Sequence, residues 1–148
     1  MAYEPVTQLE LLRYRSARPG VRVFMNVMLF LFKARGMSDV GIYNRRAVRG
    51  GKSWSLHAVG RAADLGVNSK ALGDEIADRL VRAAAKLGIC EVIWYRRRWT
   101  AEKGWQSYHG ADNHTTHVHV GFTRDVAGKS DTADGALSKW MAAAVISG

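Results

Sequence analysis

Cysteine is almost missing from this chain: Cys90 is the only one in 148 residues. A single thiol excludes an internal disulfide and a multi-cysteine zinc finger. Cys90 lies in an apolar run between Ile89 and Val92, the setting of a buried, inert thiol. A long apolar run is also lacking. The most apolar stretch, Val21–Phe32, is only about a dozen residues long and carries Arg22 and Asn26, too short and too polar to span a bilayer. Met1–Gln8 has no basic start followed by an apolar core, so it does not read as a secretory signal. No internal repeat, low-complexity tract or domain-linking segment is evident.

Acidic residues are scarce as well, 13 against 22 Lys and Arg, a formal charge of +9. Residues 1–52 carry ten basic and three acidic residues, net +7, while residues 53–148 carry twelve and ten, net +2. A basic flank beside a near-neutral segment suggests an anionic polymer or surface as partner, and solubility alone is the plainer explanation. There is no helix-turn-helix glycine signature or aromatic RNA motif, so nucleic acid is not the expected partner.

What is present is ordinary globular material: 47% hydrophobic and 24% charged residues, enough for one domain with a real core. Residues 6–17 read as a short amphipathic helix ended by Arg18-Pro19-Gly20. Val21–Arg35 reads as a second helix closed by Gly36, although period alone leaves a strand open for Val21–Phe32. Residues 38–53 look like loop. Ser55–Leu65 passes from loop into a short strand, with Gly60 weighing against the helical alternative. A helix from Ser69 carries Leu72, Ile76, Leu80, Ala84 and Leu87 on one stripe and stops at Gly88. Ile89–Trp94 reads as a buried strand, residues 96–113 as a long connection, Asp125–Asp134 as loop and Ala136–Ile146 as a closing helix. This order predicts a single α+β domain with a mainly antiparallel central sheet flanked by helices. Residues 1–37 form its N-terminal helical part, 40–122 carry the chemistry, and 135–148 close it.

Three of the five histidines fall in His114-Thr-Thr-His117-Val-His119. If 117–122 is a strand, alternation puts His117 and His119 on one face and Val118 and Val120 on the other. Upstream, Ser55-Leu-His57-Ala-Val-Gly60-Arg61-Ala-Ala-Asp64 offers one imidazole and one carboxylate. Imidazole and carboxylate are both good zinc ligands, and a catalytic zinc takes three protein ligands and leaves a position for water. His57, Asp64 and His119 make such a set, with His117 left for proton transfer. Taken one at a time, His57 also reads as a satisfied core histidine and Asp64 as a strand-end carboxylate.

These residues carry a resemblance. Ser-x-His-x-x-Gly-x-Ala-x-Asp followed by His-x-His resembles the zinc peptidases grouped around D-alanyl-D-alanine carboxypeptidases, lysostaphin and the sonic hedgehog fold. Gly88-Ile-Cys-Glu-Val-Ile-Trp94, Arg97 or Arg98 with Trp99, and Asn113–Val120 are similar to an actinobacterial and phage subgroup. Arg46-Ala-Val-Arg49-Gly-Gly51 resembles that subgroup's upstream loop. The likeness covers roughly residues 40–122. It implies one Zn²⁺ per chain on His57, Asp64 and His119, with His117 as base or transition-state stabiliser; His114, five residues before His119, is a second catalytic candidate that orients His117 or binds the substrate. It further implies that Arg46 holds the substrate or polarises its carbonyl and that Ser55 braces the first ligand loop; Ser55 and Trp99, the latter in the long connection before the histidine strand, complete the candidate substrate-binding set. The implied activity is hydrolysis of stem peptides or cross-links in bacterial peptidoglycan by an endolysin-like monomer. Such a protein is made in the host cytoplasm, acts at the wall after release, and meets an anionic envelope. Thr116 stands where carboxypeptidases of this group often carry a Glu or Asp, which keeps a non-catalytic wall-binding module open. The charge keeps a nucleic-acid-binding metalloprotein as a lesser alternative.

Overall fold

The computed structural model describes residues 2–45 and 53–148. The chain is α+β. Its helices are α1 (Gln8–Arg13), α2 (Pro19–Phe32), α3 (Lys70–Arg82), α4 (Ala84–Leu87), α5 (Arg124–Ala127) and α6 (Ala136–Ser147). Its strands are β1 (Met37–Gly41), β2 (Ala62–Val67), β3 (Ile89–Trp94), β4 (Arg97–Thr100), β5 (Gly104–Ser107) and β6 (His117–Phe122). The strands form one sheet of order β1-β2-β6-β3-β4-β5, antiparallel at every pairing.

Each element has a local reason. Thr7 and Glu10 form a reciprocal capping box that starts α1. Pro19 sits in the first turn of α2, where its missing N–H costs nothing, and Val21, Phe24, Met25, Met28 and Phe32 line the buried side. The Ser69 hydroxyl accepts from the Leu72 N–H to open α3. Gly73 lies against the Trp94 ring, where an added Cβ would stand 2.1 Å from Cζ2. That contact lets the Trp94 indole N–H reach Asp74 Oδ1 at 2.9 Å.

The sheet has two unlike faces. Val92, Trp94, Val118, Val120, Phe122, Ala63 and Leu65 point to one side and pack with α2, α3 and α6 into the main core. The other side carries Asp64, Glu91, His117 and His119 and is only partly covered, by Tyr3, Val6 and the 3₁₀ turn Leu56–Val59. Period-2 alternation thus assigns one face to the core and one to chemistry.

Several expectations need correcting. The first helix spans only Gln8–Arg13 of the expected 6–17. Within the expected loop 38–53 lies most of β1, an edge strand whose Ser38 and Asp39 are exposed and so lack the apolar alternation that marks a strand. The helix after Ser69 breaks at Ala83 before α4, and α5 takes up the first three residues of the expected loop Asp125–Asp134. The connection 96–113 contains β4 and β5. Tyr95 and Arg96 join β3 to β4 in a two-residue turn with both φ positive, 49° and 66°. That geometry normally recruits Asn-Gly, so the hairpin has no sequence flag.

Candidate metal centre

The Ser55 side chain accepts from the His57 N–H at 3.2 Å, capping the 3₁₀ turn that carries His57. The turn ends at Gly60 in the left-handed region (φ 72°), where an added Cβ would stand 2.1 Å from the Ser16 carbonyl oxygen. The chain then enters β2, whose Asp64 pairs directly with His119 of β6. Two strands and one tight turn therefore converge three side chains.

His57 Nε2 lies 3.0 Å from Asp64 Oδ1, His119 Nδ1 lies 3.3 Å from the same oxygen, and the two nitrogens are 3.2 Å apart. A tetrahedral zinc with bonds of about 2.0–2.1 Å separates its ligand atoms by about 3.3–3.4 Å. The triangle matches that edge. Asp64 Oδ1 is buried and receives no aligned hydrogen bond, although both imidazoles crowd it. Three ligand atoms gathered this closely, with one carboxylate oxygen lacking a hydrogen bond, suit a cation among them. The residues present fit zinc.

Burial alone would raise the Asp64 pKa, but the contacts from His119 and His57 outweigh it and hold the carboxyl well below its usual range. Behind His119, Nε2 stands 2.7 Å from Glu91 Oε1, and Arg98 Nε donates to Glu91 Oε2 at 2.5 Å. Burial of Glu91 is likewise overcome by His119 and Arg98, leaving it at about 2. Without metal, burial would make His119 less basic, yet Asp64 and Glu91 on either side raise it to about 10. An ion held by Nδ1 would take the place of that proton, and Glu91 would then accept from Nε2–H and fix the tautomer.

His117 is on the same face of β6, with Nε2 4.0 Å from Asp64 Oδ2 and 3.5 Å from Asp112 Oδ2. His114, at φ 53°, has its ring 4.7 Å from the His117 ring and tilted 56° to it. Burial and the neighbouring His119 lower His114 to about 4, so it is neutral near pH 7. These groups line a cleft of about 720 Å³, with Tyr3, Trp54, Arg98 and Tyr108 on its walls.

The structure brings His57, Asp64, His114, His117 and His119 together, with Ser55 at the edge of the same cleft. Arg46 lies outside the described residues. Trp99 is not in the cleft. It sits opposite Val92 and Trp105 and packs on the main core, because the β3–β4 register turns Arg98 and not Trp99 toward the site. Sequence reasoning missed Glu91, a lone acid inside an otherwise apolar strand, which was itself the available signal. It also missed Asp112, for which only its nearness to the histidine cluster could have spoken.

Fold and site together define an antiparallel α+β protein with two histidines and an aspartate that could hold a metal ion, set in an open cleft. The chain belongs to the family described as VldE, C-terminal domain, which matches residues 17–119 and so takes in His57, Asp64 and His119. Comparison with curated proteins and with solved structures finds no match. No described helix is long and apolar enough to cross a membrane.

Proposed function

We propose that this protein is a zinc-dependent peptidase of bacterial peptidoglycan, an endopeptidase that cuts beside a D-amino acid. The observation that carries the reading is the triangle of His57, Asp64 and His119 donor atoms, 3.0–3.3 Å on edge, open to a cleft with a further imidazole beside it. The motif likeness to D-alanyl-D-alanine carboxypeptidase-like peptidases supports the choice of substrate. Zinc held there supplies Lewis-acid polarisation of the scissile carbonyl and lowers the pKa of water to about 7.

The chain's own residues do the rest. His117 takes the proton of the attacking water and returns it to the leaving amine. Asp112 Oδ2, 3.5 Å from His117 Nε2, is placed to orient the imidazole. Glu91 holds the His119 ring in place. Tyr3, Trp54 and Tyr108 offer broad walls to an extended peptide, and Arg98 is committed to Glu91. The excess positive charge draws the protein to an anionic envelope, an attraction that salt weakens. An endolysin made in a host cell and released to the wall is the setting that fits these parts.

Mass spectrometry of fragments from diaminopimelate-type peptidoglycan tests the proposal, with zinc-loaded protein compared to His119→Ala. New amine and carboxyl ends that depend on His119 are expected. Absence of fragments while the protein still sediments with the wall would make it a binding module.

A further inference from the structure

Beside the triangle stands a second group of donors. Asp112, His114 and His117 each present a ligand atom, and the three atoms lie within 4.8 Å of one another. His117 Nε2 sits between two carboxylate oxygens, Asp112 Oδ2 at 3.5 Å and Asp64 Oδ2 at 4.0 Å. Neither separation is that of a strong hydrogen bond, and the 3.5 Å one is close to the edge of a tetrahedral ligand set. His114 Nδ1 lies 2.8 Å from the Asp112 main-chain oxygen. That carbonyl makes Nδ1 the donor and leaves Nε2 with its lone pair, the usual bracing of a ligating imidazole. The Asp112 side chain also accepts from the His114 N–H at 2.9 Å, holding the left-handed backbone that sets the His114 ring beside that of His117. Asp64 therefore faces two groups, with Oδ1 toward His57 and His119 and Oδ2 toward His117.

We propose that Asp112, His114 and His117 form a second site for a transition-metal dication, joined to the first through Asp64. Two imidazoles and a carboxylate select zinc-like ions over magnesium or calcium, which want an all-oxygen shell. The second ion binds more weakly than the first, because the Asp112 side chain is 42% exposed and Asp64 is shared. A functional consequence follows, and it rests on the peptidase reading above. His117 cannot carry a proton while its lone pair is on an ion, so filling the second site stops turnover.

The test is a zinc titration of the chelator-stripped full chain against a chromogenic chelator, repeated with Co²⁺ to read its visible spectrum. Two ions per chain are expected, one tight and one weaker. Asp112→Asn removes the charge but keeps an acceptor for the His114 N–H, so the turn survives. This variant should weaken the second ion by about tenfold or more while leaving the first unchanged. His114→Gln, checked for folding by circular dichroism, should do the same. Saturation of the wild type at one ion overturns the proposal. So does a second ion that holds to both variants as tightly as to the wild type. These readouts do not depend on peptidase activity, so failure of that reading leaves them intact. If the peptidase reading holds, wild-type turnover should fall as the second ion loads, and level turnover with that ion bound would overturn the inhibitory role.

Discussion

Two buried clusters of charge flank the turn from Leu56 to Arg61, and they are built to opposite ends. On one side Glu10 is surrounded by three arginines: Arg18 at 2.6 Å, Arg124 at 3.0 Å and the fully buried Arg61 at 3.3 Å. Arg18 also donates to the Val59 main-chain oxygen, and Arg61 to those of Phe122 and Glu4. On the other side Asp64 is crowded by His57 and His119 at similar distances, yet its buried Oδ1 has no aligned donor. The first network is closed within the chain and ties residues 4–18 to the end of the sheet. The second is left open to a cleft. Burial and short distances alone do not distinguish scaffold from site; hydrogen-bond alignment and an opening to solvent do.

The sharpest way to break this contrast is through stability. Glu10→Ala strands Arg18 and Arg61 without their carboxylate and should cost about 3–5 kcal/mol in urea unfolding, with or without zinc. His57→Ala should behave in the opposite manner. It should remove the stabilisation that saturating zinc gives, about 2.7 kcal/mol at a hundredfold excess over the dissociation constant. A Glu10 variant whose loss vanished on adding zinc would merge the two clusters into one. Glu91→Gln loses the carboxylate behind His119 and should weaken zinc about 10–100-fold in a competition assay, with both direct carboxylate and imidazole ligands still in place. Unchanged affinity would reduce Glu91 to a partner of Arg98.

The smallest expected effect is in pH. In the metal-free chain His119 titrates at about 10, above its ordinary 6.5. Its stabilising contribution is therefore complete below about pH 6.5 and fades as pH rises toward 10. Glu91, depressed to about 2, contributes above its ordinary 4.5 and loses that contribution as pH falls toward 2. Thermal melts in chelator should accordingly drop on both sides, from pH 6.5 upward and from pH 4.5 downward. Zinc must displace the His119 proton, so the gain in melting temperature with zinc should grow between pH 6.5 and 9. A zinc gain that shrank over that interval would place the ion elsewhere.

The part of the site held by strands was legible in the sequence, because alternation in His117–Phe122 assigns faces without knowing the neighbours. Asp64 and His57 were legible through their spacing around Gly60. What stayed hidden depends on pairing. Trp99 and Arg98 differ in face only because Val92 and Ile93 sit opposite them, and the turn at Tyr95-Arg96 that sets this register carries no glycine. Glu91 was visible as a residue but not as a partner of His119, since β3 and β6 are distant in the chain. β1 was hidden by its own exposed, polar residues at the sheet edge.

Zinc K-edge X-ray absorption of the chain loaded with one equivalent tests the central claim most directly. A four-coordinate ion with nitrogen and oxygen neighbours at about 2.0–2.1 Å and outer-shell scattering from two imidazoles is expected, the imidazole scattering being reduced in His57→Ala. A six-coordinate all-oxygen shell, or a spectrum that His57→Ala leaves unchanged, would contradict it.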